Sequence, residues 1–196
     1  MAENIPEWRS RLASALHRNR AKNHSRYFQL ATVSPEGLPK NRTVVFRGFL
    51  ESTNTIQIVT DSRSQKTTQI AYQPWGEICW YFSKTREQFR ISGDLTLVDG
   101  DNDDSELIAA RKAAWQKISD KARSQFMWPN PGESRTDDLT LFTSETPSDQ
   151  EPVTNFCLLL LTPKKVDHLE LRGEPQNRCL YQLQSNGDWT TQPINP

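Results

Sequence analysis

Apolar and polar residues alternate with period two over most of the first hundred positions. This is the pattern of strands that bury one face. It predicts strands over 27–33, 41–50, 55–60, 77–83 and 87–98, rich in Val, Ile, Thr, Phe, Trp and Tyr. Short polar connections separate them. Ser34-Pro35-Glu36-Gly37 favours a tight turn and makes the first two strands a hairpin, and the whole reads as an antiparallel meander. Between the third and fourth strands a short helix over 67–72 is predicted, with Ser64 as N-cap and Gln73-Pro74-Trp75-Gly76 as its stop. In the fourth strand Ile78, Trp80 and Phe82 alternate with Cys79 and Tyr81, so both faces are apolar. Such a strand is central or lies at a subunit contact.

The spacing changes to the helical period in three places. Ile5, Trp8, Leu12, Ala15 and Leu16 predict a helix over 5–20, with Asn4 and Glu7 spaced as a capping box. Leu107, Ile108, Ala114, Trp115 and Ile118 predict a second over 105–118, and a short one follows over 119–126. The acidic run from Asp99 to Asp104 lacks the glycine and closing glutamate of a calcium loop, and its place before a helix makes it a dipole cap. Residues 129–152, rich in Pro, Ser, Thr, Asp and Glu, predict a long mobile connection. Beyond it, 153–161 is a continuous apolar run ending at Thr162-Pro163, which predicts a fully buried strand. Closing strands follow over 166–171, 179–184 and 189–191, the last two joined by a turn at Ser185-Asn186-Gly187-Asp188.

At 196 residues the expectation is one domain, 1–196, of mainly β (α+β) class. The net charge of zero argues against a sequence-independent nucleic-acid binder. That zero conceals an imbalance. Residues 1–92 carry fourteen Lys and Arg against seven Asp and Glu, a balance of +7, and the remainder carries −7. Cys79, Cys157 and Cys179 are dispersed with no CxxC pair, which fits reduced thiols of a cytoplasmic protein, and His17, His24 and His168 make no metal spacing. No metal is expected. The longest apolar run, 156–161, falls far short of the ~20 residues that span a bilayer, and no membrane partner is expected.

The basic half also holds the candidate chemistry. Arg42, Arg47, Thr60, Ser64, Gln65, Lys66, Gln88 and Arg90 recur where a strand meets a turn. A guanidinium such as Arg42, on the same side as Val44 and Phe46, needs an ionic partner or a ligand. The connection Thr60-Asp61-Ser62-Arg63-Ser64-Gln65-Lys66 opens a helix, whose free N–H groups and dipole favour a phosphate dianion. Two cations and a helix start can therefore converge on one phosphate.

These residues resemble the pyridoxamine 5′-phosphate oxidase family, whose members fold as antiparallel split β-barrels that bind FMN. The family's Arg-x-Val-Leu-Leu-Lys strand is similar to Arg42-Thr43-Val44-Val45-Phe46-Arg47. Its Thr-Asn-x-x-Ser-Arg-Lys loop is similar to the stretch from Thr60 to Lys66, and its Gln-Val-Arg-x-x-Gly strand to Gln88-Phe89-Arg90-Ile91-Ser92-Gly93. The resemblance implies that Arg42, Ser64, Gln65 and Lys66 surround the FMN phosphate. It implies that Thr43, Val44, Val45, Arg47 and Thr60 line the flavin site. Gln88 would reach the ring across a homodimer interface, with Arg123, Gln125 and Trp128 completing the site from the partner subunit. For Trp128, packing beneath the loop is an equal alternative. Arg47, Arg111 and Arg178 would bind a small-molecule substrate.

Three departures bear on the reaction. The family's Arg in the phosphate loop is Gln65. The Tyr of its Tyr-x-x-x-Arg pattern is Leu107, four before Arg111. Its Arg-x-His-Asp-Arg segment is Glu174-Pro175-Gln176-Asn177-Arg178, which keeps only the last Arg. The resemblance therefore implies FMN binding more directly than oxidation of pyridoxamine phosphate. An FMN-dependent oxidoreductase, a non-catalytic flavin carrier and a barrel for another phosphorylated ligand all remain open.

Overall fold

The computed structural model describes residues 5–143 and 145–196. Helix α1 (Glu7–Asn19) buries Trp8, Leu12 and Ala15, as their spacing requires, but it starts at Glu7 with Pro6 in the N-cap position. Asn4, expected to cap it, lies outside the described residues. Ile5, expected in the apolar stripe, precedes the helix and is 69% exposed.

Eight strands form one antiparallel sheet. In chain order they are β1 (Tyr27–Val33), β2 (Pro39–Val45), β3 (Ile56–Asp61), β4 (Trp75–Phe82), β5 (Glu87–Val98), β6 (Phe156–Glu170), β7 (Asn177–Leu183) and β8 (Trp189–Pro193). The spatial order is β2-β1-β4-β5-β6-β7-β8, with β3 paired to β6. The predicted strand over 41–50 divides. It stays with β1 only to Val45, then bends through Gly48, whose φ of 117° disfavours any side chain, and joins β3. There the Arg47 amide donates to the Gln57 carbonyl at 2.9 Å and the Gln57 amide to the Gly48 carbonyl at 2.9 Å. These bonds close six strands into a barrel split at the β2–β3 seam.

The sequence predicted a break at Thr162-Pro163, yet β6 runs straight through it. It pairs with β3 over 156–161 and with β7 over 165–170, so Pro163 stands where the strand changes partners and a missing N–H is least felt. On the other edge the register slips between Ser92 and Gly93 of β5, and Gly93 lies opposite Pro163. Here only glycine fits: a Cβ on Gly93 would stand 2.0 Å from the Thr162 carbonyl oxygen.

The first half of β6 is apolar on both faces because two cores use it. Leu159 and Leu161 join the barrel core around Trp8, Phe28, Trp80 and Phe89. Phe156, Leu158 and Leu160 join a second cluster with Trp115 and Ile118, brought by α3 (Ser105–Lys117) and the chain after it. Asp104 caps α3 by accepting the Glu106 and Leu107 amides, as the acidic run predicted. After α4 (Asp120–Ser124) the described residues up to 155 are irregular apart from two short 3₁₀ turns. The three cysteines are unpaired, and burial pushes the Cys157 thiol up to about 11.

Candidate functional site

The connection after β3 meets the strand β2 at the open end of the barrel. Between them and residues 118–142 lies a cleft of about 600 Å³. Its walls include Arg42, Thr43, Val44, Val45 and Arg47 from β2 and its extension. Thr60, Ser64 and Lys66 come from the connection, and Phe126, Trp128 and Phe142 from beyond α4. Helix α2 (Gln65–Tyr72) begins at its floor.

Arg42 has no carboxylate partner among the described residues. Its guanidinium donates only to neutral acceptors, the Leu30 carbonyl at 3.0 Å, Thr32 Oγ1 at 2.7 Å and Gln69 Oε1 at 2.6 Å. Burial lowers its pKa. Lys66 is in a similar position. Its Nζ donates to Thr60 Oγ1 at 2.8 Å and Ser64 Oγ at 2.9 Å, and its pKa is lowered first by burial and then by the charge of Arg42. Two cations thus repel each other at one end of the cleft, and neither is ion-paired among the described residues, although the nearby Asp61 charge partly offsets the repulsion at Lys66. Ser64 occupies the N-cap position as predicted, but its hydroxyl donates to the Asp61 carbonyl and makes no cap bond. The first N–H groups of α2 therefore have no side-chain acceptor from Ser64. This arrangement suits a dianion.

Arg47 lines the same cleft, and its pKa is lowered by burial and then by Arg26. Its Nε is buried without a hydrogen-bond partner, as is Nε1 of Trp128 on the opposite wall. Trp128 also packs edge-on against Phe142 at 5.6 Å. Trp128 thus packs beneath the loop, one of its two expected roles, and lines the cleft of its own chain.

The wall that carries Trp128 is held by a residue to which the sequence reading assigned no role. Arg63 donates to the carbonyls of Phe126 and Trp128, both at 3.0 Å, and to Asn130 Oδ1 at 3.2 Å. It also forks onto Asp61. Burial alone would raise the Asp61 pKa, but hydrogen bonds from Arg63 and Asn155 outweigh it and hold the group ionised. Asp61 is thus committed to the wall. Arg135, whose guanidinium lies over the Phe142 ring, is a further cation of the lining that its local sequence did not mark.

Six of the predicted residues lie elsewhere, among them Arg123, whose guanidinium donates to the Ile118 carbonyl and pairs with Asp120. Gln65 is exposed on α2 and is not part of the lining. Gln88 sits on β5 opposite Tyr81, on the outward face, where it accepts from the Cys79 thiol. Arg111 is buried and donates to the Phe156 and Val153 carbonyls, so it fastens the start of β6 and is not available to a substrate. Arg178 forms a two-pronged pair with Asp167, which also receives Arg90. What separates these from Arg42 and Lys66 is where the fold carries them, which no local sequence displays.

Known proteins share this fold and sequence. The family model for the FMN-binding domain of pyridoxamine 5′-phosphate oxidase matches residues 5–99. Pyridoxine/pyridoxamine 5′-phosphate oxidase 2 of Arabidopsis thaliana is 38% identical over 200 residues, covering 100% of both chains. The crystal structure of a pyridoxamine 5′-phosphate oxidase-related, FMN-binding protein from Nostoc punctiforme superposes with a TM-score of 0.96 at 56% identity, over 98% of this chain and 100% of that one. PhzG from Burkholderia lata shares the fold, with a TM-score of 0.78 at 18% identity over 100% of this chain and 94% of its own. A cleft with two unpaired cations at a helix start, in a split barrel with a full-length relative at this identity, identifies the chain as a member of the pyridoxamine 5′-phosphate oxidase family, with FMN as its cofactor.

Proposed function

We propose that this chain is a homodimeric FMN-dependent oxidoreductase acting on a small molecule beside Arg47. The observation that carries this reading is the pair Arg42 and Lys66, two cations lining one cleft, neither of them in an ion pair among the described residues. In this reading they hold the FMN phosphate with the first amides of α2, while Thr43, Val44, Val45 and Thr60 support the ring. Bound FMN supplies the hydride chemistry, so the residues need only position, exclude water and tune charge. Arg47, near the ring, favours its reduced anionic form. Of the acids lining the cleft, Asp61 is held by Arg63, and the exposed Glu133 accepts from Asn130 Nδ2 at 2.9 Å.

Dimerisation is supported by the outward face of β1, β4 and β5. Tyr27 is 47% and Tyr81 46% exposed there, beside Gln88. Gln88 does not line the cleft of its own chain, so in this reading a second copy would bring it to the flavin. The experiment is to denature the purified protein and weigh what it releases. The mass of FMN is expected; a colourless protein that takes up no added FMN overturns the reading. The name of the Arabidopsis relative makes pyridoxamine 5′-phosphate the first substrate to offer, and flavin that neither it nor a nicotinamide donor reduces would leave a carrier. A further prediction concerns Arg63→Ala. It releases three acceptors of the Trp128 wall, and FMN affinity measured by fluorescence should fall about tenfold, the equivalent of one net hydrogen bond.

A further inference from the structure

Residues 128–142 border the cleft as a strap that is exposed along most of its length. Its ring contacts are internal, Trp128 and Arg135 both lying against Phe142. Just before it, Phe126 is fixed in the second core against Trp115 at 5.7 Å and Phe156 at 5.2 Å. Beyond that hinge one residue holds the strap. Among the described residues, every hydrogen bond between 128–142 and the chain outside 125–143 comes from Arg63, to the Trp128 carbonyl and to Asn130 Oδ1. A segment with so few and such exposed ties opens at low cost in free energy. Arg63 itself belongs to the connection that carries the Arg42–Lys66 cradle. Asp61 joins the two: its carboxylate receives the Arg63 fork, and its carbonyl accepts the Ser64 hydroxyl at 2.8 Å. Ser64 in turn accepts from Lys66 Nζ at 2.9 Å, and the charge of Lys66 is opposed by Arg42.

We propose that the strap is a latch set by the cofactor's phosphate: filling of the Arg42–Lys66 cradle is transmitted through Asp61 and Arg63 to residues 128–142 and closes them over the flavin ring. It rests on the reading of the cleft as the flavin site. A ligand shifts a conformational equilibrium only through a difference in its interactions with the two states. The phosphate has that difference. It removes the repulsion between Arg42 and Lys66 and competes for the Ser64 hydroxyl, so it orders the connection on which Arg63 stands. With the connection ordered, Arg63 meets the Phe126 and Trp128 carbonyls and Asn130 together, and the charge of Glu133 on the strap adds to the attraction. With it loosened, the strap swings from Phe126 and the ring enters or leaves. A wall fixed independently of the cradle would need polar ties of its own to the barrel, and among the described residues Arg63 makes all its hydrogen bonds.

The test follows trypsin cleavage after the exposed Arg135 by mass, in the purified protein freed of flavin, alone, with inorganic phosphate and with FMN. FMN should slow cleavage about tenfold, the factor by which losing Arg63 is expected to weaken FMN, because such coupling is reciprocal. Inorganic phosphate, which fills only the cradle, should slow it at least threefold. In Arg63→Ala cleavage should be fast and equal with and without inorganic phosphate, while calorimetry still detects phosphate binding. Arg63→Lys keeps a charge beside Asp61 but lacks the fork, and it should behave likewise, so a folding defect in the alanine variant does not decide the outcome. Protection by FMN without protection by inorganic phosphate puts the trigger at the ring and overturns the proposal. So does a wild-type rate that neither probe changes, or protection by phosphate that survives in both variants. Uptake of FMN, read from its fluorescence, tests the cleft separately. A protein that phosphate protects but that takes up no FMN refutes the flavin reading and keeps the latch; one that takes up FMN with its strap unaffected does the reverse.

Discussion

Replacing Arg42 and Lys66 together by alanine is expected to abolish FMN retention while the barrel stays folded. Each charge-assisted hydrogen bond to a phosphate contributes roughly 1.5–3 kcal/mol. Removing both should therefore weaken FMN by about 3–6 kcal/mol, on the order of a hundred- to ten-thousandfold. The folded state loses little, because burial and mutual repulsion already lower the pKa of Lys66. Arg42 holds Thr32 and Gln69, which bond each other at 2.7 Å and keep that contact without it. Fluorescence titration of the flavin-free variant measures the first quantity and thermal melting the second. An affinity within threefold of wild type would mean that the phosphate lies elsewhere.

The largest effect on stability is expected from Gly93→Ala. The added Cβ would meet the Thr162 carbonyl oxygen at 2.0 Å, its carbon at 2.8 Å and the Pro163 Cα at 2.9 Å. All three are backbone, so no rotamer relieves the overlap; β5 and β6 must part at the bulge. Overpacking against rigid backbone costs about 3 kcal/mol or more. Gly100→Ala is the control, since the nearest atoms to its Cβ belong to the Arg111 guanidinium at 3.8 Å or beyond. Chemical denaturation should separate the two by at least about 2 kcal/mol. Equal midpoints would show that the bulge relaxes freely.

Much of the fold was legible because most strands bury one face and keep strict alternation. Residues 27–33 and 87–98 were placed to the residue. What failed was local in a different sense. The division of 41–50 depends on where β3 lies, and the continuity of β6 depends on a partner exchange at Pro163 that no window of sequence contains. The cleft residues Arg42, Ser64 and Lys66 were legible because a strand end and a helix start have fixed chemistry. Arg111 could not be told from them. Its donors are consumed by carbonyls 42 and 45 residues away in sequence, and burial by distant chain carries no local mark. Arg63 was hidden for the same reason, since its acceptors lie 63 to 67 residues ahead.

The pairing of β3 with the first half of β6 has a consequence for biosynthesis. Thr60 faces Cys157 across that ladder, so the strand leading into the connection from Thr60 to Lys66 gains its neighbour only after nearly a hundred more residues have been made. Long-range contacts of this kind form late and slowly. A nascent chain ending near residue 100 would already hold Arg42, Ser64 and Lys66 but would have no β6 to anchor β3 beside them. If the cleft is the flavin site, the cofactor is expected only after translation of the β6 segment, and a ribosome-stalled fragment should capture no flavin.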